Sequence, residues 1–342
     1  MKHLSDSVNS TPKSAAPDLK TKSGWRRALN WVLGLVVFTW VAVLMAWSAL
    51  HVFIVPRIGD YREVLQQQAS RALGIRVEIG RISAQGGWWV PWFELGDIQL
   101  FDKEGREALR LPRVLAAVSP RSVVLGQFEQ LDIDQPELEI RRDVDGHVWV
   151  AGLDTGAAGD GSGADWFFSQ PEFLVRGGTV HWRDDSRSSA MQTQASVLTL
   201  QDVEVSVKNH WFQHELRADV TPPSVLGQRV SVRGKFYQPP WQRAGDVAQW
   251  SGDMFADLPF VDLATLRQWV VMDKGLSLQE GRGAVRLWAD VQKGLPVGVT
   301  ADVALDAVDA RLGADLLPLR LRHVQGRIGA QSLNGDVEIS SQ

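Results

Sequence analysis

The chain has 342 residues with 36 Lys and Arg against 40 Asp and Glu, a formal net charge of −4. That balance gives no basic surface of the kind nucleic acids need, so a nucleic-acid partner is not expected. There is no cysteine, which excludes disulfides, thiolate nucleophiles and Cys-based zinc sites, and 15 Trp stand against 2 Tyr, a bias that suits bilayer interfaces.

Residues 1–24 are rich in Ser, Thr, Pro and Lys and read as a flexible tail. From Trp31 to Leu50 runs an uncharged apolar stretch of twenty residues. At 1.5 Å per residue it spans about 30 Å, the thickness of a hydrocarbon core. A secretory signal core is shorter and ends in a small-residue cleavage site, which HVFIVPRIGD does not offer. Residues 25–55 are therefore predicted as a transmembrane helix, with Trp31, Leu35, Trp40, Leu44 and Trp47 as anchor residues. Lys20, Lys22, Arg26 and Arg27 precede it, whereas Arg57 and Arg62 follow it mixed with Asp60 and Glu63. The positive-inside rule then puts the N-terminus in the cytoplasm and the bulk of the chain across the membrane.

Asp60-Tyr-Arg-Glu63 has capping-box spacing and predicts a short helix ending at Gly74. After it the apolar period changes from 3.6 to 2, over Arg76–Ile82, Phe93–Phe101, Gln127–Ile133, Glu137–Arg141, Ser196–Lys208 and Arg229–Arg233. Asp102-Lys-Glu-Gly105 and Asp143-Val-Asp-Gly146 each follow a strand and read as hairpin turns. The second also resembles the opening of a calcium loop, but the bidentate Glu that such a loop needs is missing. Residues 152–165, which include GLDTGAAGDGSG, are expected to form a flexible loop between a first region, 56–151, and a second, 166–342. A further helix is expected over Asp262–Val270 with Asp262 as its cap.

One pattern recurs within the strands. Phe93, Leu95, Ile98 and Leu100 are apolar at odd positions and then at even ones. Leu198, Leu200, Val203, Val205 and Val207 make the reverse switch, again across an x-Asp pair, and Val303, Leu305 and Val308 repeat it. Strand side chains alternate faces, so a switch implies a bulge or bend that keeps one face apolar. The repetition points to an elongated β architecture rather than one closed barrel.

Little in the sequence points to an enzyme. His210 and His214 are four apart but lack the Glu of a zinc-protease helix, and His181-Trp-Arg-Asp184-Asp185 reads as a strand running into a charged turn. Arg141-Arg142 and Asp184-Asp185 read as solvated strand ends, and no nucleophile elbow, phosphate loop or dinucleotide fingerprint is present. Neither a catalytic residue nor a metal ligand nor a cofactor is assigned.

The segments IVPRIGDYREVLQQQASRALGIRVEIGRI, FELGDIQLFDKEGREAL, QPELEIRRDVDGHVWVAGL, GGTVHWRDDSRSS, LRADVTPPSVLGQRVSVRGKF and GRGAVRLWADV, in that order after an anchor, resemble the AsmA-like superfamily and within it the YhdP type. The resemblance implies a mainly β fold with few helices: one N-terminal transmembrane helix, then an elongated, curved antiparallel sheet forming a groove. It implies a bacterial inner-membrane protein with a periplasmic bulk, similar to eukaryotic bridge-like lipid-transfer proteins. It would shield phospholipid acyl chains on the way between inner and outer membranes. Proteins of this type are usually much longer, so the resemblance also implies an N-terminal portion. The candidate groove lining is Phe93, Leu95, Ile98, Leu100, Leu198, Leu200, Val203, Val205 and Val207. Expected partners are phospholipid, the inner membrane and other envelope proteins; the alternative is a scaffold or assembly factor for outer-membrane proteins.

Overall fold

A computed structural model describes residues 22–49, 52, 55–85, 91–102, 104–119, 122, 127–154, 162–185, 197–266, 277–311, 318–333 and 336–341. It divides into two units, residues 1–49 and 50–342.

The first unit is one helix, α1, Lys22–Ala49, whose stretch Leu29–Ala49 is long and apolar enough to cross a membrane. Trp31, Leu35, Trp40 and Leu44 are 82%, 66%, 65% and 56% exposed, and only Trp47 of the anchor set is buried. Large apolar side chains exposed all round a helix are what lipid, not water, accommodates. The described helix runs to Ala49; of the predicted remainder, residues 50, 51, 53 and 54 lie outside the described ones, and Val55–Tyr61 is a 3₁₀ turn.

That turn leads into α2, Arg62–Leu73, in the second unit. Asp60 is not its cap, contrary to expectation: Tyr61 holds that position with no side-chain hydrogen bond, because the 3₁₀ turn runs straight into the helix. Its end is as predicted, with Gly74 left-handed at φ 67° and its N–H on Ser70 O.

Then come β1 (Arg76–Gln85), β2 (Trp92–Phe101), β3 (Glu107–Ala117), β4 (Gln130–Asp134), β5 (Glu137–Arg142), β6 (Val148–Val150) and β7 (Leu153–Asp154). Helix α3, Ser162–Ser169, precedes β8 (Glu172–Asp184), β9 (Val197–His210), β10 (Gln213–Thr221), β11 (Val230–Tyr237) and β12 (Ser251–Asp262). Helix α4, Leu263–Leu266, is followed by β13 (Ser277–Gln292), β14 (Leu295–Arg311), β15 (Leu319–Leu333) and β16 (Asp336–Ser341). All sixteen strands join one sheet in near-sequential order. It is not wholly antiparallel as expected, since β8 pairs parallel with β4 and β5. A parallel pair needs a crossover, and α3 lies in it.

Both predicted hairpin turns form with the same wiring. Asp102 N–H donates to Arg106 O and Gly105 N–H to Asp102 O; Asp143 N–H donates to His147 O and Gly146 N–H to Asp143 O. In each, the leading Asp Oδ1 also accepts two backbone N–H groups, and the glycine has positive φ, 80° and 88°. The loop expected over 152–165 is partly ordered, beginning in β7 and ending in α3, while 155–161 lie outside the described residues. The predicted helix at Asp262 starts where expected, with Thr265 N–H donating to Asp262 Oδ1 at 3.0 Å. Its last predicted residues, 267–270, are outside the described ones.

Candidate functional site: one apolar sheet face with a transverse seam

The register carries the apolar residues of successive strands into contiguous rows. Phe93 pairs with Ala116, Leu95 with Val114, Ile98 with Leu111 and Leu100 with Leu109. Ala116 and Val114 then pair with Leu131 and Ile133, which lie beside Phe173 and Val175 of β8. Those face Val207 and Val205, while Val180 and Trp182 face Leu200 and Leu198. Val207 and Val205 continue to Leu216 and Ala218, and Ala218 to Val232. Beyond, Val232 pairs with Ala256, Ala256 with Leu287 and Leu287 with Ala301. All nine residues of the predicted lining therefore share one face of the sheet.

What keeps that face apolar is a seam crossing the strands near their middles. In the strands Asp97, Gly177, Asp202 and Ala307, and in the break between β4 and β5 Gln135, have left-handed φ of 53°, 60°, 48°, 52° and 51°. Asp97, Asp202 and Ala307 are the phase switches visible in the sequence. In β2 the switch is not a bulge: Gly96 pairs with Arg113 and Ile98 with Leu111, so the register is unbroken. A single left-handed residue inverts the alternation, and the neighbours invert with it, β1 between Ile79 and Ile82 and β3 between Leu111 and Val114. Gln135 breaks one long strand into β4 and β5, both of which keep the same register against β3. From β8 onward the seam also carries true register shifts, between Val175 and Val180, between Asp219 and Thr221, and between Leu258 and Val261. In β14 and β15 it lies between Leu305 and Val308, and between Leu321 and Val324.

Parts of the face are covered. Helix α3 packs Phe167 and Phe168 on the cluster of Val114, Ala116, Leu131, Ile133, Phe173 and Val207. The Phe167 and Phe173 rings are 4.3 Å apart. Helix α4 contributes Leu263 and Leu266 to the cluster of Val261, Leu305, Val308 and Ala310. Val207, in the cluster under α3, and Leu100, in a separate cluster with Ile75, Val77 and Ile79 against which Ala69 of α2 packs, are 3% and 7% exposed, core residues rather than open lining. Leu198, Leu200 and Val203 lie outside these clusters and are half-buried.

Beneath α3 sits a polar network that the sequence did not announce. Gln170, fully buried, accepts from Phe128 N–H at 2.8 Å and donates to Trp166 O at 2.6 Å. Asn209 Nδ2 donates to Gln170 O, which turns Asn209 Oδ1 toward His214 Nδ1 at 2.7 Å. His214 is 1% exposed, stacked 4.0 Å from Trp250, with Gln238 Oε1 2.9 Å from its other nitrogen. Burial lowers its pKa, opposed by the Gln238 hydrogen bond. His210 is exposed on the other face of β9 and does not join His214.

The opposite face is charged. A concavity of about 900 Å³ there is lined by Lys208, Glu215, Arg217, Arg233, Lys235 and Asp253, and also by the apolar Leu174 and the paired Phe255 and Trp288. Lys208 bonds Glu172, and Lys235 bonds Glu215. Arg141 and Asp185, read from sequence as solvated ends, meet across β5 and β8 at 2.7 Å, and Arg142 lies 4.0 Å from Asp184. His181 Nδ1 meets Thr199 Oγ1 rather than a carboxylate. At the Asp143 turn, the Asp143, Asp145 and His147 side chains come close enough for an ion. However, Asp143 Oδ1 already takes two backbone N–H groups and Oδ2 the Trp149 indole N–H, so the group is wired as a turn.

No curated protein matches the chain. A family profile described as YhdP protein matches residues 22–341, from the first described helix to the last strand. With α1 and the described sheet inside that match, the chain belongs to the YhdP family.

Proposed function

We propose that the uncovered part of the apolar sheet face is the wall of a groove that shields phospholipid acyl chains in transit between the two membranes of a bacterial envelope. In this reading α1 anchors the protein in the inner membrane with its N-terminus cytoplasmic, and the sheet lies in the periplasm. The observation that carries it is the continuity of one apolar face through twelve tiers of strands, β1 to β15 with β4 and β5 counted as one. At about 4.8 Å per tier that is roughly 50 Å. A lipid tail is about half a hydrocarbon core, roughly 15 Å, so several could lie in file. Exposing tails to water costs about 0.8 kcal/mol per CH₂, and a wall with water beyond its rim removes that cost while leaving the head group wet. Shielding needs no nucleophile, metal or cofactor.

The test is a photoreactive residue placed at Leu200 or Val203 on the face, and at Gln201 or Glu204 on its reverse, in the full chain in cells. Lipid adducts at 200 and 203 but not at 201 and 204 are expected. Equal labelling, or adducts with outer-membrane proteins instead, would replace this reading with the scaffold one.

A further inference from the structure

An edge strand offers a row of unpaired backbone groups that must be covered. The edge strand β1 pairs only with β2, and its free side is covered by α2 in an unusual way. Arg62 Nη1 donates to Gly80 O at 3.1 Å, and Gln66 Oε1 accepts from Ile79 N–H at 3.3 Å. Ser70 Oγ accepts from Val77 N–H at 3.0 Å and lies 3.4 Å from Val77 O. These three residues are spaced i, i+4, i+8, one stripe of the helix, so α2 stands in for a neighbouring strand with side chains instead of backbone.

That fixes the rotation of α2 and leaves on its far side an arc with three large apolar side chains and, between them, the exposed Gln68. At 100° per residue Val64 lies about 160° from Gln66, Tyr61 about 140° and Leu65 about 100°. They are 54%, 43% and 41% exposed. Exposed Arg71 shares that side, and exposed Arg57 precedes it. Only five residues, 50–54, separate the membrane-crossing α1 from the 3₁₀ turn that opens α2. Six Cα steps reach at most about 20 Å and the 3₁₀ turn adds about 12 Å, so chain connectivity limits the arc to within about 30 Å of the end of α1, a distance that permits contact with a bilayer surface.

We propose that α2 is an interfacial helix: its Tyr61-Val64-Leu65 arc sits among the lipid head groups and upper acyl chains of that bilayer, with Arg57 and Arg71 toward the phosphates, while its opposite stripe holds the first strand of the sheet. The same helix thus joins membrane surface and apolar face. The inference rests on the membrane anchoring by α1 in the proposed function, but not on the groove.

Because the chain has no cysteine, single nitroxide labels report cleanly. Full-length protein in nanodiscs of phosphatidylethanolamine and phosphatidylglycerol would carry Tyr61→Cys, Val64→Cys or Leu65→Cys, with exposed Glu63→Cys and Gln67→Cys for comparison. The ratio of oxygen to nickel-chelate accessibility is expected to be at least severalfold higher at 61, 64 and 65 than at 63 and 67. Equal ratios at all five positions would overturn the proposal. So would labels at 61, 64 and 65 closed to both reagents, which would mean that a protein surface covers the arc. Lipid adducts at Val203 are read independently, so either result leaves the other interpretable.

Discussion

Burial lowers the pKa of His214, opposed by the Gln238 hydrogen bond, and this has a thermodynamic consequence. Aromatic rings of Trp250 and Phe168 flank it, and burial disfavours the imidazolium. With its native pKa below the unfolded value of 6.5, the unfolded chain binds the proton first as pH falls. Its contribution is therefore complete above pH 6.5 and is lost progressively below it. Thermal unfolding of the wild type between pH 7.5 and 5.0 should show an acid-dependent loss that shrinks in His214→Gln; an unchanged loss would assign it to other groups. Trp211 poses the reverse case. It is 91% exposed at the tip of the β9–β10 hairpin with φ 55°, so it strains the backbone without packing in return. Left-handed backbone costs a non-glycine residue about 1–2 kcal/mol, and asparagine bears it better. Trp211→Asn is expected to raise stability by up to about 1 kcal/mol in urea unfolding.

At the scale of elements, the α2–β1 join shows which interactions a sequence reveals and which it hides. The α2 glycine stop, the two Asp-x-x-Gly turns and the Asp262 cap were legible because each is closed within a few residues. The Arg62, Gln66 and Ser70 stripe was invisible, since nothing local marks these polar residues as partners of a strand edge. Helix α3 was missed for a related reason. Its Ser-Gly-Ala start resembles linker, and the helix is fixed by Phe167 and Phe168 docking on strands distant in sequence. The signal available was the Trp166-Phe167-Phe168 trio, too apolar for a solvated loop. Similarly, three phase switches were readable, whereas Gly80, Gln135 and Gly177 became part of the same seam only through pairing. The capping stripe makes a direct prediction. Ser70→Ala leaves Val77 N–H without its acceptor, and Gln66→Ala does the same to Ile79 N–H. An unsatisfied buried donor costs about 1–3 kcal/mol. Faster hydrogen exchange is expected at Val77 and Ile79, with exchange in β13–β14 unchanged; uniform acceleration would mean global destabilisation instead.

For the whole molecule, the seam reconciles two demands on a sheet that must stay apolar on one side along a dozen tiers. A strand's side chains alternate strictly, yet its apolar residues change parity along the chain, so a left-handed residue or a shift is needed to hold both stretches on one side. The resets at Asp97, Asp202 and Ala307 do this, and most neighbouring strands shift at matching positions, whereas β11 pairs with β10 and β12 without a break. A charge set into one apolar row should then act on the face as a whole, and a charge one residue along should not. Val203 sits beside the Asp202 reset, is half-buried and lies outside the packed clusters, so Val203→Asp replaces an exchangeable contact without removing core. Glu204 points to the charged side, where it bonds Arg229 with both side chains substantially exposed. Such a pair contributes about 0–1 kcal/mol, and Glu204→Gln should be nearly silent. Phospholipid recovered per mole of full-length protein is expected to fall severalfold in Val203→Asp and to stay at the wild-type level in Glu204→Gln, with similar thermal unfolding for both. If both variants retain lipid equally, the bound lipid belongs to the anchor helix and not to the sheet face.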